Sequence, residues 1–128
     1  MSSRTTVDPL TARTESVIGR FNGAFARQDA GAVMSLMTED CVFENTFPAP
    51  DGERYVGARA VHEFWSQFFA STPSARFEAE ETLVFGDRAV VRWVFHWDND
   101  GVAGHVRGID LFRVRDDKVA EKLSYVKG

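Results

Sequence analysis

The stretch AVVRWVFHWDNDGVAGHVRGIDLFRVR, Ala89 to Arg115, decides the fold. It alternates with period two on both sides of Asn99-Asp100-Gly101, the pattern of two β-strands joined by a tight turn. In the first strand one set of residues is Val91, Trp93, Phe95 and Trp97; the other is Val90, Arg92, Val94 and His96. Successive strand side chains point to opposite faces, so the aromatic set is expected under a covering layer. The second strand sorts into His105, Arg107, Ile109, Leu111 and Arg113 against Val106, Gly108, Asp110, Phe112 and Val114. In the latter set apolar and small residues surround one carboxylate, Asp110. Aspartate is disfavoured in mid-strand, and on a buried face it must be paired, hydrogen-bonded or protonated. A solvent-facing Asp110 paired with Arg107, Arg113 or Lys122 fits the residues equally well, and parity alone leaves both readings open.

Outward from this hairpin, Ala75 to Phe85 and Val119 to Val126 alternate in the same way, set off by Gly86-Asp87 and Asp116-Asp117. The four strands are expected to form an antiparallel meander. The earlier part of the chain reads as helices. From about Thr11 to Arg27, Val17, Ile18, Phe21, Ala24 and Phe25 recur at helical spacing. Asp29 is a good N-cap for a short second helix carrying Val33, Leu36 and Met37 before Thr38-Glu39-Asp40 breaks it. A short strand, Cys41 to Asn45, and a loop from Thr46 to Gly57 with two prolines follow; a loop of that length is suited to rim a site. The third helix presents Val61, Phe64, Trp65, Phe68 and Phe69 on one almost wholly aromatic face. The expected class is α+β, three helices covering one face of the sheet.

At 128 residues the chain holds one domain, expected over 11–128 behind an N-terminal extension at 1–10. Its 44% hydrophobic and 27% charged content excludes disorder and coiled coil. Eleven Phe against two Tyr describe an interior that is bulky, flat and poor in hydroxyl groups. The net charge of −4 and the absence of a basic run argue against a nucleic-acid or membrane partner. One cysteine, Cys41, allows no intrachain disulfide, and an N-terminus without an apolar stretch makes a cytoplasmic location the expectation.

Val106 to Val114, Asp117-Lys118-Val119 and Glu121 to Lys127 resemble the C-terminal half of the SnoaL-like polyketide cyclase family. So do Val56 to Val61 leading into Phe64-Trp65, and the strand from Asp40 to Asn45. This family belongs to the nuclear transport factor 2-like superfamily, with ketosteroid isomerase and limonene epoxide hydrolase. The resemblance runs from about Arg13 onward. It implies a cone-shaped α+β barrel, three N-terminal helices packed on a curved, mainly antiparallel sheet around a pocket.

It also implies roles. Asp110 matches the oxyanion-hole Asp of ketosteroid isomerase and the acid/base Asp of the SnoaL-like cyclases, which moves it into the pocket. The isomerase's base is matched by Asn45 and its oxyanion Tyr by Phe21, neither of which performs that chemistry. Limonene epoxide hydrolase is similar at Asn45 and Arg92, but its two carboxylates are matched by Val94 and Ser124. A cyclase-like reading remains: Asp110 as general acid/base, Asn45 donating to a substrate oxygen, and Trp65, Trp93, Phe95, Trp97 and Phe112 holding a hydrophobic small molecule.

No cofactor is implied. His96, His105 and His62 invite a metal, but parity sends the two strand histidines to the face opposite Asp110, so none is expected. Val94, Ile109, Leu111, Leu123 and Tyr125 would leave an apolar patch on the outer sheet face, and relatives commonly pair there, so a homodimer is expected, with Arg107, Arg113 and Glu121 at its rim. Two other functions stay open: a non-catalytic small-molecule-binding module of the same fold, and a dimeric adaptor whose core is filled.

Overall fold

The structure, a computed structural model, describes residues 8–128. Helix α1 (Pro9–Ala26) opens on Asp8, whose side chain accepts from the Thr11 N–H, so residues 8–10 of the expected extension belong to the helix start; residues 1–7 lie outside the described residues. Helix α2 (Ala30–Ser35) is capped by Asp29 as read from sequence, but it stops one residue before Leu36. Met37 and Thr38-Glu39-Asp40, expected as helix end and breaker, instead begin strand β1 (Met37–Glu44).

The expected loop from Thr46 to Gly57 contains a strand, β2 (Arg54–Val56), paired antiparallel with β1. The turn between them folds back through the Gly52 N–H to the Pro48 carbonyl and the Asn45 N–H to the Glu53 carbonyl. Gly52 has φ +80°, and a Cβ there would lie 1.8 Å from the Asn45 carbonyl oxygen; only glycine fits. Helix α3 (Ala58–Ser71) follows the β1–β2 pair, where the third helix is expected after Gly57. Strands β3 (Arg76–Phe85), β4 (Arg88–Asn99), β5 (Val102–Arg115) and β6 (Lys118–Val126) form the expected antiparallel meander.

The architecture is α+β with a curved mixed sheet of six strands in the order β2-β1-β6-β5-β4-β3. Strands β1 and β6 pair in parallel, and the other described pairs are antiparallel. The main helix contacts fall on the flanks: α3 packs on β1 and β2, α1 on β3 with lighter contact to β4 and β6. Val17, Ile18, Phe21 and Phe25 of α1 are buried, as are Val61, Trp65 and Phe69 of α3, as their periodicity predicts. Between these supports the inner face of the central strands is left partly unfilled.

Two glycines shape that face. In the β4–β5 register Trp93 lies opposite Gly108 and Trp97 opposite Gly104. A Cβ at Gly108 would meet the Trp93 ring at 2.5 Å, and one at Gly104 the Trp97 ring at 2.6 Å. Each indole therefore reaches over the neighbouring strand, into space that a Cβ there would occupy.

On the outer face the expected patch is smaller than parity suggested. Val94 is buried within the chain itself, Ile109, Leu111 and Leu123 are half-buried, and only Tyr125 is exposed. Arg107 pairs with Glu80 and Arg113 with Glu121, so the charges assigned to an interface rim are already partnered within the chain.

Candidate functional site

A cavity of about 470 Å³ lies between α1, α3 and the inner face of β1, β4, β5 and β6. Its wall is aromatic: Phe64, Trp65 and Phe68 come from α3, and Trp93, Phe95 and Trp97 from β4. Asn45 and Thr46, at the end of β1, bring polar groups to it, and Phe47 of the same turn also lines it. Among the described residues, Asp110 and Lys122 are the only ionisable side chains that line it.

Asp110 is 1% exposed and stands opposite Ser124 in the β5–β6 register. Lys122 precedes Ser124 by two residues and so shares its face. The Ser124 hydroxyl donates to Asp110 Oδ1 at 2.7 Å, and Lys122 Nζ donates to Ser124 Oγ at 3.0 Å. Lys122 Nζ also lies 3.3 Å from Asp110 Oδ2, an ionic contact rather than an aligned hydrogen bond. The three groups close a ring through which a proton can pass from nitrogen to carboxylate directly or by way of the hydroxyl.

The rest of the ammonium's surroundings is aromatic. The rings of Phe43, Trp65 and Phe25 have their centroids 4.9, 5.2 and 5.3 Å from Lys122 Nζ. Burial pushes the Lys122 ammonium below the ordinary lysine value; the Asp110 carboxylate opposes that without cancelling it.

Seven residues expected in the site line the cavity: Asp110, Asn45, Trp65, Trp93, Phe95, Trp97 and Ser124. Phe21 and Phe112 do not. They meet edge to face, 5.4 Å between centroids, in the solid core beneath α1, where Phe21 is fully buried. Phe112 shares the face of Asp110, but its position along the strand puts it in the core with Phe21 rather than at the opening. Asp110 has Lys122 as its partner, one of the three cations considered for a solvent-facing aspartate, yet the pair is on the inner face.

Lys122 was missed as a site residue because lysine is seldom buried. The signal was present in its sharing of parity with Ser124. Arg92, matched above to an epoxide hydrolase arginine, lies on the outer face against Glu81 and Glu80. His96 and His105 are also there, 5.8 Å apart between rings, with His96 near Glu78. Among the described residues no three His, Cys, Asp or Glu side chains converge as a metal site would need, and no helix is long and apolar enough to cross a membrane.

The SnoaL-like domain model matches residues 18–122, a span that holds the whole cavity apart from Ser124. The chain belongs to the SnoaL-like domain family. Among solved structures, this SnoaL-like chain is 41% identical to a nuclear transport factor 2-like protein of unknown function from Mesorhizobium loti, with a TM-score of 0.84 over 96% of this chain and 98% of that one. A candidate SnoaL-like polyketide cyclase from Jannaschia sp. CCS1 shares 18% identity at TM-score 0.80 over 97% and 92% of the two chains. TerC co-crystallised with polyporic acid shares 18% at TM-score 0.75 over 90% and 92%. At those lower identities the likeness is one of fold. No protein of curated function matches the SnoaL-like chain.

Proposed function

We propose that this SnoaL-like protein is a cofactor-independent acid/base enzyme, cyclase- or isomerase-like, acting on a hydrophobic small molecule in a cone-shaped pocket. The observation that carries the reading is that the cavity's only ionisable lining groups form one contiguous set with a hydroxyl between them. A carbonyl compound bound there would meet a carboxylate able to take a proton from the adjacent carbon and an ammonium able to stabilise the oxygen that gains charge. Asn45 already uses its Oδ1 to accept from the Thr46 N–H at 2.8 Å, which leaves its NH₂ group to donate to a substrate oxygen. The aromatic wall supplies the apolar contact and excludes water, which strengthens each of these interactions. Relatives in fold described as candidate polyketide cyclases, and TerC with polyporic acid, support a ring-bearing substrate.

The test is deuterium uptake from D₂O by a panel of cyclic and aryl ketones, followed by mass spectrometry. Wild-type protein is expected to accelerate exchange beside the carbonyl, and Asp110→Asn to lower that rate by about 10²–10⁴-fold, the usual weight of a general base. An Asn variant with wild-type exchange would sink the catalytic role.

A second reading, a non-catalytic binding module, is favoured by one observation: both Asp110 oxygens already face partners, Ser124 and Lys122. It predicts ligand binding without any exchange. In either case we propose a homodimer formed through the outer sheet face around Tyr125 in a cytoplasmic protein. Sedimentation equilibrium is expected to give twice the chain mass, and Tyr125→Glu to shift the population toward monomer.

A further inference from the structure

We propose that Lys122 is an amine nucleophile that captures apolar aldehydes and ketones as Schiff bases inside the cavity. The proposal rests on the reading above only in requiring that the cavity admit a hydrophobic carbonyl compound. It does not need Asp110 to abstract a carbon-bound proton.

Three features of the geometry point to it. Lys122 is the only lysine lining the cavity; the other two, Lys118 and Lys127, are exposed. Its nitrogen is held among three aromatic rings, an apolar setting of the kind that releases an amine from its proton. The proton it must lose has an acceptor at 3.3 Å in Asp110 and a relay at 3.0 Å in Ser124. A lysine serving only to neutralise a buried carboxylate would need neither a hydroxyl relay nor a place in the wall of a cavity.

The steps balance without any further reagent. Lys122 first passes a proton to Asp110, leaving an amine and a carboxylic acid. The amine lone pair attacks the carbonyl carbon; a C–N bond forms, and the C=O π pair moves to oxygen, which takes the proton held by Asp110. One proton of the new C–NH₂⁺ group then returns through Ser124 to Asp110. Asp110 protonates the hydroxyl, the C–O bond breaks, water leaves, and the nitrogen lone pair closes the C=N bond. The product is an iminium beside a carboxylate, the same charge arrangement as the starting ion pair, so the site that tolerates Lys122 and Asp110 also tolerates the adduct. The rings that surround the ammonium would surround the iminium.

The experiment is reductive trapping on the full chain: 2-naphthaldehyde or 2-acetylnaphthalene as probe at neutral pH, sodium cyanoborohydride as hydride donor, then intact mass and peptide mapping. One adduct at Lys122 is expected. Its labelling is expected to exceed that of Lys118 and Lys127, since an amine whose pKa is lowered holds more of its neutral, nucleophilic form at a given pH. Lys122→Arg keeps a cation but removes the nucleophile and is expected to lose the adduct. Asp110→Asn is expected to slow trapping while leaving Lys122 as its site. Labelling spread evenly over the three lysines of the wild type would overturn the proposal, a result that needs no variant to fold. An adduct of undiminished yield in Lys122→Arg would do the same. Ketone exchange that depends on Asp110 in a protein that cannot be trapped would separate the two functions, leaving the acid/base reading standing and this one refuted.

Discussion

Lys122→Met is expected to lower stability in urea unfolding by about 3–5 kcal/mol, the usual cost of removing one partner from a buried ion pair. The reason is what it leaves behind: Asp110, 1% exposed, with Ser124 as its only remaining polar contact. Asp110→Asn is expected to be milder, because the orphaned Lys122 can shed its proton among the aromatic rings and become neutral. The double variant Asp110→Asn/Lys122→Met is expected to be more stable than Lys122→Met alone, since it removes the uncompensated charge, and the cycle should show a coupling of about 0.5–3 kcal/mol. Additive single effects would mean the pair contributes no coupling.

The same pair sets a pH dependence. Lys122 holds its proton less tightly folded than unfolded, so between its lowered folded value and the ordinary 10.5 the unfolded chain binds more protons. Stability therefore rises with pH across that window. Taken as wild type minus Lys122→Met, the unfolding free energy is expected to climb as pH rises from the lowered value toward 10.5. A flat or falling difference would contradict the placement of Lys122 in an apolar cage.

Gly108→Ala is expected to cost about 1–3 kcal/mol or more, the range for overpacking a well-packed interior. A Cβ at Gly108 would lie 2.3 Å from the Tyr125 carbonyl oxygen as well as 2.5 Å from the Trp93 ring. The carbonyl belongs to the paired strand β6 and cannot swing aside. Gly104→Ala offers the contrast, because its three nearest obstacles are all atoms of the Trp97 ring, a half-buried side chain able to tilt. Urea titrations are expected to rank Gly108→Ala as clearly the more damaging. Equal losses would mean that the tryptophan rings, not the backbone, set the cost. Both changes press on the wall of the cavity, so a ligand that binds wild type should bind Gly108→Ala more weakly.

The meander was legible because alternation and turn chemistry agree over more than fifty consecutive residues, from Arg76 to Val126. In the turns, Asp100, Asp116 and Asp117 adopt positive φ, which aspartate tolerates better than most residues. Strand β2 was not legible, since Arg54-Tyr55-Val56 is too short to show a period and sits among loop residues. The helix-to-strand change at Met37 was equally hidden, because an apolar residue there serves either pattern. At the site, parity put the β4 aromatics on the covered face, while for Asp110 it left both faces open and only the family resemblance moved it into the pocket. Neither parity nor the resemblance assigned depth along an element, and Phe21 on α1 and Phe112 on β5 lie beneath the cavity rather than on its wall. Lys122 shows the reverse failure, a face that parity implied and that residue type argued against.

Strand β6 is last in chain order yet sits in the interior of the sheet, between β1 and β5. During synthesis the β1–β2 pair and the β3–β5 meander can each form, but nothing joins them edge to edge until β6 emerges. Both Lys122 and Ser124 ride on that strand, so the act that unites the two halves of the sheet also brings the Lys122 ammonium to the Asp110 carboxylate. Until β6 is in place, Asp110 has neither the Ser124 hydroxyl nor the Lys122 ammonium beside it.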